Sequence, residues 1–127
     1  MVREDLYTQG AEYVTMGEKQ RLFTRYIGML IAFAYKHGYE LTLGDAFRSP
    51  EQAALNAKAG TGISNSLHGK RLAVDFNLFI NGVFQTDSAA HKPLGEYWES
   101  LDPLCRWGGR FKKPDGNHYS MTHEGVS

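Results

Sequence analysis

Four residues in two short segments have side chains that could act together. Ser66-Leu67-His68-Gly69-Lys70-Arg71-Leu72-Ala73-Val74-Asp75 sets an imidazole near the end of a polar loop and a carboxylate inside an apolar run. Asp115-Gly116-Asn117-His118 sets a second carboxylate and a second imidazole on a turn that enters another strand-like run. Asp75 is the anomaly. Flanked by Val74 and Phe76, its carboxylate is costly to bury unless it is paired or bound to a metal. A catalytic zinc site takes three protein ligands and keeps one position open for water. His68, Asp75 and His118 supply that set, which leaves Asp115 to take a proton from a water attacking a carbonyl. Arg48, at the end of a predicted strand, is placed to hold a substrate carboxylate or a developing oxyanion. Ser66, two residues before His68, is placed to orient that loop or bind substrate.

Each of these residues also has an ordinary reading. Taken alone, His68 is a loop histidine, Asp75 is a carboxylate paired with Arg48 or Arg71, and Arg48 is a surface cation beside a helix start. Asp115 in Pro-Asp-Gly is also a good turn residue. His37 and His91 are explained by a helix end and a helix start and receive no function. His123 follows His118 closely enough to be weighed as a substrate contact or a replacement ligand. Cys105 beside Arg106 has no histidine base marked out for it, so it reads as a core or surface thiol. Trp98 and Trp107 fit a core better than a stacking wall.

The elements that must position these side chains are legible in the periodicities. Leu22, Tyr26, Met29, Leu30 and Phe33 recur at helical spacing; Thr15 and Glu18 form a capping box before them, and His37-Gly38 ends the run. Tyr39 to Phe47 alternates as a half-buried strand that delivers Arg48. Ser49-Pro50-Glu51-Gln52 opens a helix expected to run to about Gly60, and GTGISNSLHGKR reads as a loop. LAVDFNLF is a strand, and Asn81-Gly82 predicts a type I′ hairpin to Val83-Phe84. Leu94, Tyr97, Trp98 and Leu101 mark a short helix closed by Pro103; a turn at KKPDGN leads to a final strand, HYSM. The expected fold class is α+β, helices packed on a small, mostly antiparallel sheet, in one domain over residues 1–127.

Composition narrows the chemistry. Acidic and basic side chains balance at fourteen each in 127 residues, which argues against a nucleic-acid or anionic-membrane partner. One cysteine permits neither an internal disulfide nor a thiolate zinc cluster. The apolar stretch around Ile27 to Tyr35 is shorter than the roughly 20 residues a bilayer requires. MVREDLYTQG lacks the apolar core of a secretory signal, so the expected place of synthesis is the cytoplasm.

The ordered set S-x-H-x-x-x-x-A-x-D at Ser66 to Asp75 and D-x-x-H at Asp115 to His118 resembles the D-alanyl-D-alanine carboxypeptidase and L-alanyl-D-glutamate endopeptidase family of zinc peptidases. FRSPEQ at Phe47 to Gln52 resembles that family's arginine-bearing segment, and Trp107-Gly108-Gly109 its approach to the second motif. Arg71 departs from the pattern, which usually has glycine there. The resemblance implies a hedgehog-like peptidase fold, a Zn2+ cofactor held by His68, Asp75 and His118, and Asp115 as general base. It also implies an enzyme acting on the stem peptide of peptidoglycan, of the phage endolysin type, made in the host cytoplasm and reaching the wall through holin-type release; a monomer is expected, although the sequence does not set the oligomeric state. A D-alanyl-D-alanine carboxypeptidase or dipeptidase, and a zinc-binding module without catalysis, are the alternatives.

Overall fold

The computed structural model describes residues 15–47, 49, 51–52, 55 and 66–127. The first helix, α1 (Met16–Lys36), starts where Thr15 caps it: the Glu18 N–H donates to the Thr15 hydroxyl oxygen and the Glu18 carboxylate accepts from the Thr15 backbone. It ends at His37, after which Gly38 takes a positive φ of 85° that a side chain would resist. Leu22, Phe23, Tyr26, Leu30 and Ala34 form its buried stripe, while Met29 turns outward.

Strand β1 (Tyr39–Leu43) pairs with β2 (Ala73–Ile80), the central strand. Strand β1 stops at Leu43, earlier than the alternation suggested, and Leu43 is exposed. The chain then bends at Gly44 and Asp45, whose backbones clasp Asp75: Gly44 N–H donates to the Asp75 carbonyl and Asp75 N–H to the Asp45 carbonyl. The Asn81-Gly82 turn has φ of 52° and 77°, as a type I′ hairpin requires, and joins β2 to β3 (Val83–Phe84). The short helix α2 (Lys92–Leu101) begins with Pro93 in its first turn. It is followed by β4 (Cys105–Trp107) and by β5 (His118–Met121), the length the sequence suggested.

All these pairings are antiparallel, in the order β1-β2-β5-β4 with β3 beside the far end of β2. The architecture is the expected α+β class. Helices α1 and α2 meet through Trp98, whose ring stands edge-on to Phe23 and Tyr26 and whose indole N–H donates to the Ser120 carbonyl on β5. Trp98, Tyr119, Phe76, Leu78 and Leu94 are almost wholly buried, so both helices are fastened to the sheet strands that carry the polar site. Trp98 and Trp107 are core residues. The predicted helix from Ser49 to Gly60 lies largely outside the described residues; Glu51, Gln52 and Leu55 are helical, and Gln52 N–H donates to the Ser49 hydroxyl as the cap requires.

Candidate active site

The antiparallel register places Asp75 of β2 directly opposite His118 of β5. Side chains of directly opposed residues share one face of a sheet, so a carboxylate and an imidazole meet there without any loop having to bring them together. His68 arrives from a different device. The segment read as a loop tightens at Leu67–Lys70 into one 3-10 turn, capped by the Ser66 hydroxyl, which accepts from His68 N–H. Arg71 closes that turn in the left-handed conformation, φ 57° and ψ 36°. A glycine adopts this conformation freely, so the arginine keeps the backbone geometry that a glycine would give. Its guanidinium stacks over Phe47. Arg71 therefore does not serve as the ion partner of Asp75.

Those partners are the histidines. His68 Nε2 and His118 Nδ1 each lie 3.5 Å from Asp75 Oδ1, and one ligand atom from each of the three residues falls within 4.8 Å of the others. His68 and His118 are buried, with Asp75 partly so. The His68 Nδ1 contacts the Ala46 carbonyl at 3.0 Å, which fixes the proton on Nδ1 and leaves Nε2 with a lone pair facing Asp75. At 3.5 Å the contacts to Asp75 are too long to be hydrogen bonds, and Oδ1 is a buried oxygen with no hydrogen-bond partner. Burial alone would push the Asp75 carboxyl up; in the metal-free site the rings of His118 and His68, when they carry their protons, outweigh it and hold it down at about 2. An ionised, buried, unpartnered oxygen between two imidazole nitrogens fits a divalent cation with nitrogen and oxygen preference.

Asp115 sits on the turn before β5, with its N–H bonded to the Gly108 carbonyl and its carbonyl accepting from His118 N–H. Its carboxyl is raised above the ordinary range, first by burial and then by the negative charge of Asp75, against the opposing pull of His118 and His68. The turn is held from behind. Gly116 N–H donates to the Ser88 hydroxyl at 2.9 Å, and Trp107 donates its indole N–H to the Gly116 carbonyl at 2.7 Å. A Cβ on Gly116 would lie 2.5 Å from Ser88 Cα, so glycine is required for this approach. A Cβ on Gly108 would lie 2.2 Å from the Asp115 carbonyl oxygen.

Of the sequence-predicted residues, the fold thus gathers His68, Asp75 and His118, with Asp115 electrostatically coupled to them. Ser66 orients the His68 turn. Arg48 lies outside the described residues. His123 is engaged elsewhere, with Lys19 Nζ at 3.1 Å from its Nδ1 and Glu124 beside its Nε2. Cys105 is buried, and burial raises its thiol far above the range where a thiolate forms, so it has no nucleophilic character. Sequence reasoning passed over His91. It lies at the end of the 3-10 turn Ser88–His91, is 3 % exposed, and meets the Tyr119 hydroxyl through Nδ1 at 2.8 Å. A histidine following two alanines in a polar connection was the available hint.

A family model described as D-alanyl-D-alanine carboxypeptidase matches residues 59–121, the span that carries all four site residues. Among solved structures, the fold is similar to that of the Serratia marcescens L-Ala D-Glu endopeptidase ChiX, with a TM-score of 0.68 and 19 % identity over 86 % of this chain and 87 % of that one. No curated protein gives a significant match.

Proposed function

Because this chain belongs to the D-alanyl-D-alanine carboxypeptidase family of peptidases, we propose that it is a zinc-dependent hydrolase of peptidoglycan stem peptides, cutting between L-alanine and D-glutamate. The observation that carries this reading is the convergence of His68 Nε2 and His118 Nδ1 on the unpartnered Asp75 Oδ1, with a raised-pKa carboxyl alongside. His68, Asp75 and His118 would hold the ion. When bound, zinc supplies a Lewis acid and lowers the pKa of a coordinated water toward neutrality.

The remaining work falls to the chain's own groups. Asp115 accepts the proton of the attacking water; its raised pKa brings it nearer to neutrality, where a carboxylate is a more effective base. The same carboxyl then returns the proton to the leaving amine. Ser66 keeps the His68 turn in register, and the Ala46 carbonyl keeps the His68 ring in the right tautomer. Arg48 is proposed to hold a substrate carboxylate. The family resemblance supports the wall as target; an endolysin role, with release into the wall from the cytoplasm, is proposed alongside it. The alternative is removal of terminal D-alanine. Lysis of chloroform-permeabilised Gram-negative cells by zinc-loaded protein, absent after chelation and absent in Asp115→Ala, is the expected result. A zinc-binding wild type that clears no cells overturns the lytic reading.

A further inference from the structure

A pocket of about 340 Å³ opens beside Asp115, walled by Phe76, Phe84, Ser88, His91 and Asn117. Its size is that of a small-ligand site. We propose that this pocket is a subsite for a neutral peptide unit of the substrate, whose carbonyl accepts a hydrogen bond from His91 Nε2. The inference rests on the peptidase reading above and adds where the chain beyond the cleaved bond lies.

The direction of that hydrogen bond follows from the core behind it. Tyr119 is fully buried, and among the described residues its hydroxyl has one partner, His91 Nδ1. A buried O–H that donates to nothing loses its hydration without compensation, so the tyrosine donates and Nδ1 accepts. Burial lowers the His91 pKa to about 4, so the ring is neutral near pH 7 and its one proton stands on Nε2. That N–H has no protein partner among the described residues. His91 is thus a ring fixed from one side by Tyr119, with its Nε2 unpaired among the described residues, in a residue that lines the pocket.

The charge of the surroundings selects the acceptor. Asp87 and Asp115 both line the pocket, and among the described residues no lysine or arginine does, so a substrate carboxylate would be repelled. A peptide carbonyl carries the acceptor without the charge, and the Phe76 and Phe84 rings supply the apolar walls against which a short side chain would lie. The proximity to Asp115 makes the occupant a neighbour of the reacting bond rather than a remote anchor. His91 is a substrate-positioning residue in this account, and Tyr119 acts through it.

The test crosses two substitutions with substrate length. His91→Asn keeps an acceptor for Tyr119 and withdraws the pocket donor, whereas His91→Gln extends an amide donor toward the place of Nε2. Each is assayed on a synthetic stem peptide and on versions shortened one residue at a time with the cleaved bond kept. His91→Asn is expected to lose about tenfold in kcat/KM on peptides that fill the pocket and nothing on the one that does not, with partial recovery in His91→Gln. Equal losses on every length, or none, overturn the subsite. Nitrogen-15 spectra of the ring give a readout independent of turnover: a proton on Nε2 is expected, and one on Nδ1 overturns the donor assignment. If the wild type cleaves no stem peptide, the peptidase reading falls. The subsite is then judged by the Nε2–H signal on adding an acetylated stem peptide, where a shift sustains it and no shift overturns it.

Discussion

Asp75 and His118 face each other across the β2–β5 ladder, with Oδ1 and Nδ1 3.5 Å apart. They are 43 positions apart in sequence, and the sheet register alone sets their distance. A slip of one residue in that register would turn His118 to the opposite face. That pair of candidate ligands is therefore held as firmly as the core strands, and the consequences can be stated as measurements.

Metal binding should stabilise the fold. A ligand present at a hundred times its Kd adds about 2.7 kcal/mol, which for a chain of this size is a rise in Tm of several degrees. Differential scanning calorimetry with and without zinc after chelation reads it. His118→Ala should abolish the rise, and an unchanged rise in that variant would remove His118 from the ligand set.

Asp115→Ala should separate binding from turnover. Loss of a general base costs about 10²–10⁴-fold in rate, while the three ligands remain, so zinc affinity measured by calorimetry should change little. A loss of both together would make Asp115 a ligand instead.

The buried His91 makes a pH signature in the metal-free protein. Its folded pKa, about 4, lies below the ordinary 6.5, so the unfolded chain binds a proton that the folded one refuses. Its contribution is full above pH 6.5 and is lost as pH falls from there to about 4, by on the order of 3 kcal/mol. Urea titrations of wild type and His91→Asn across that window should diverge, the variant staying flatter. Parallel curves would contradict the burial argument.

Gly116→Ala should damage the site more than the fold. The added carbon would meet Ser88 Cα at 2.5 Å, forcing apart the 3-10 turn and the Asp115 turn. Overpacking of this kind costs about 1–3 kcal/mol. The expected outcome is a folded protein by circular dichroism with a much reduced kcat, and full activity would show that the turn has room to shift.

How much of this was legible in the sequence varies by residue. His68, Asp75 and His118 could be read because a charged side chain in an apolar strand and a histidine at a turn each break a local rule. The capping box, the Asn81-Gly82 hairpin and β5 were legible because their signals are local. The 3-10 turn at Leu67–Lys70 was not, because its sequence is that of a loop and Arg71 conceals a left-handed position. Leu43 looked half-buried by alternation, yet the strand ends there as the backbone bends to clasp Asp75. His91 could not be assigned because its partner, Tyr119, is 28 residues away in sequence.

The most direct test of the account is mass spectrometry of muropeptides incubated with metal-stripped protein and with the same protein reconstituted with zinc. The account predicts intact muropeptides in the first case and stem peptides severed between L-alanine and D-glutamate in the second. Intact muropeptides with zinc bound at the site would contradict it, and release of D-alanine alone would reassign the enzyme to carboxypeptidase chemistry.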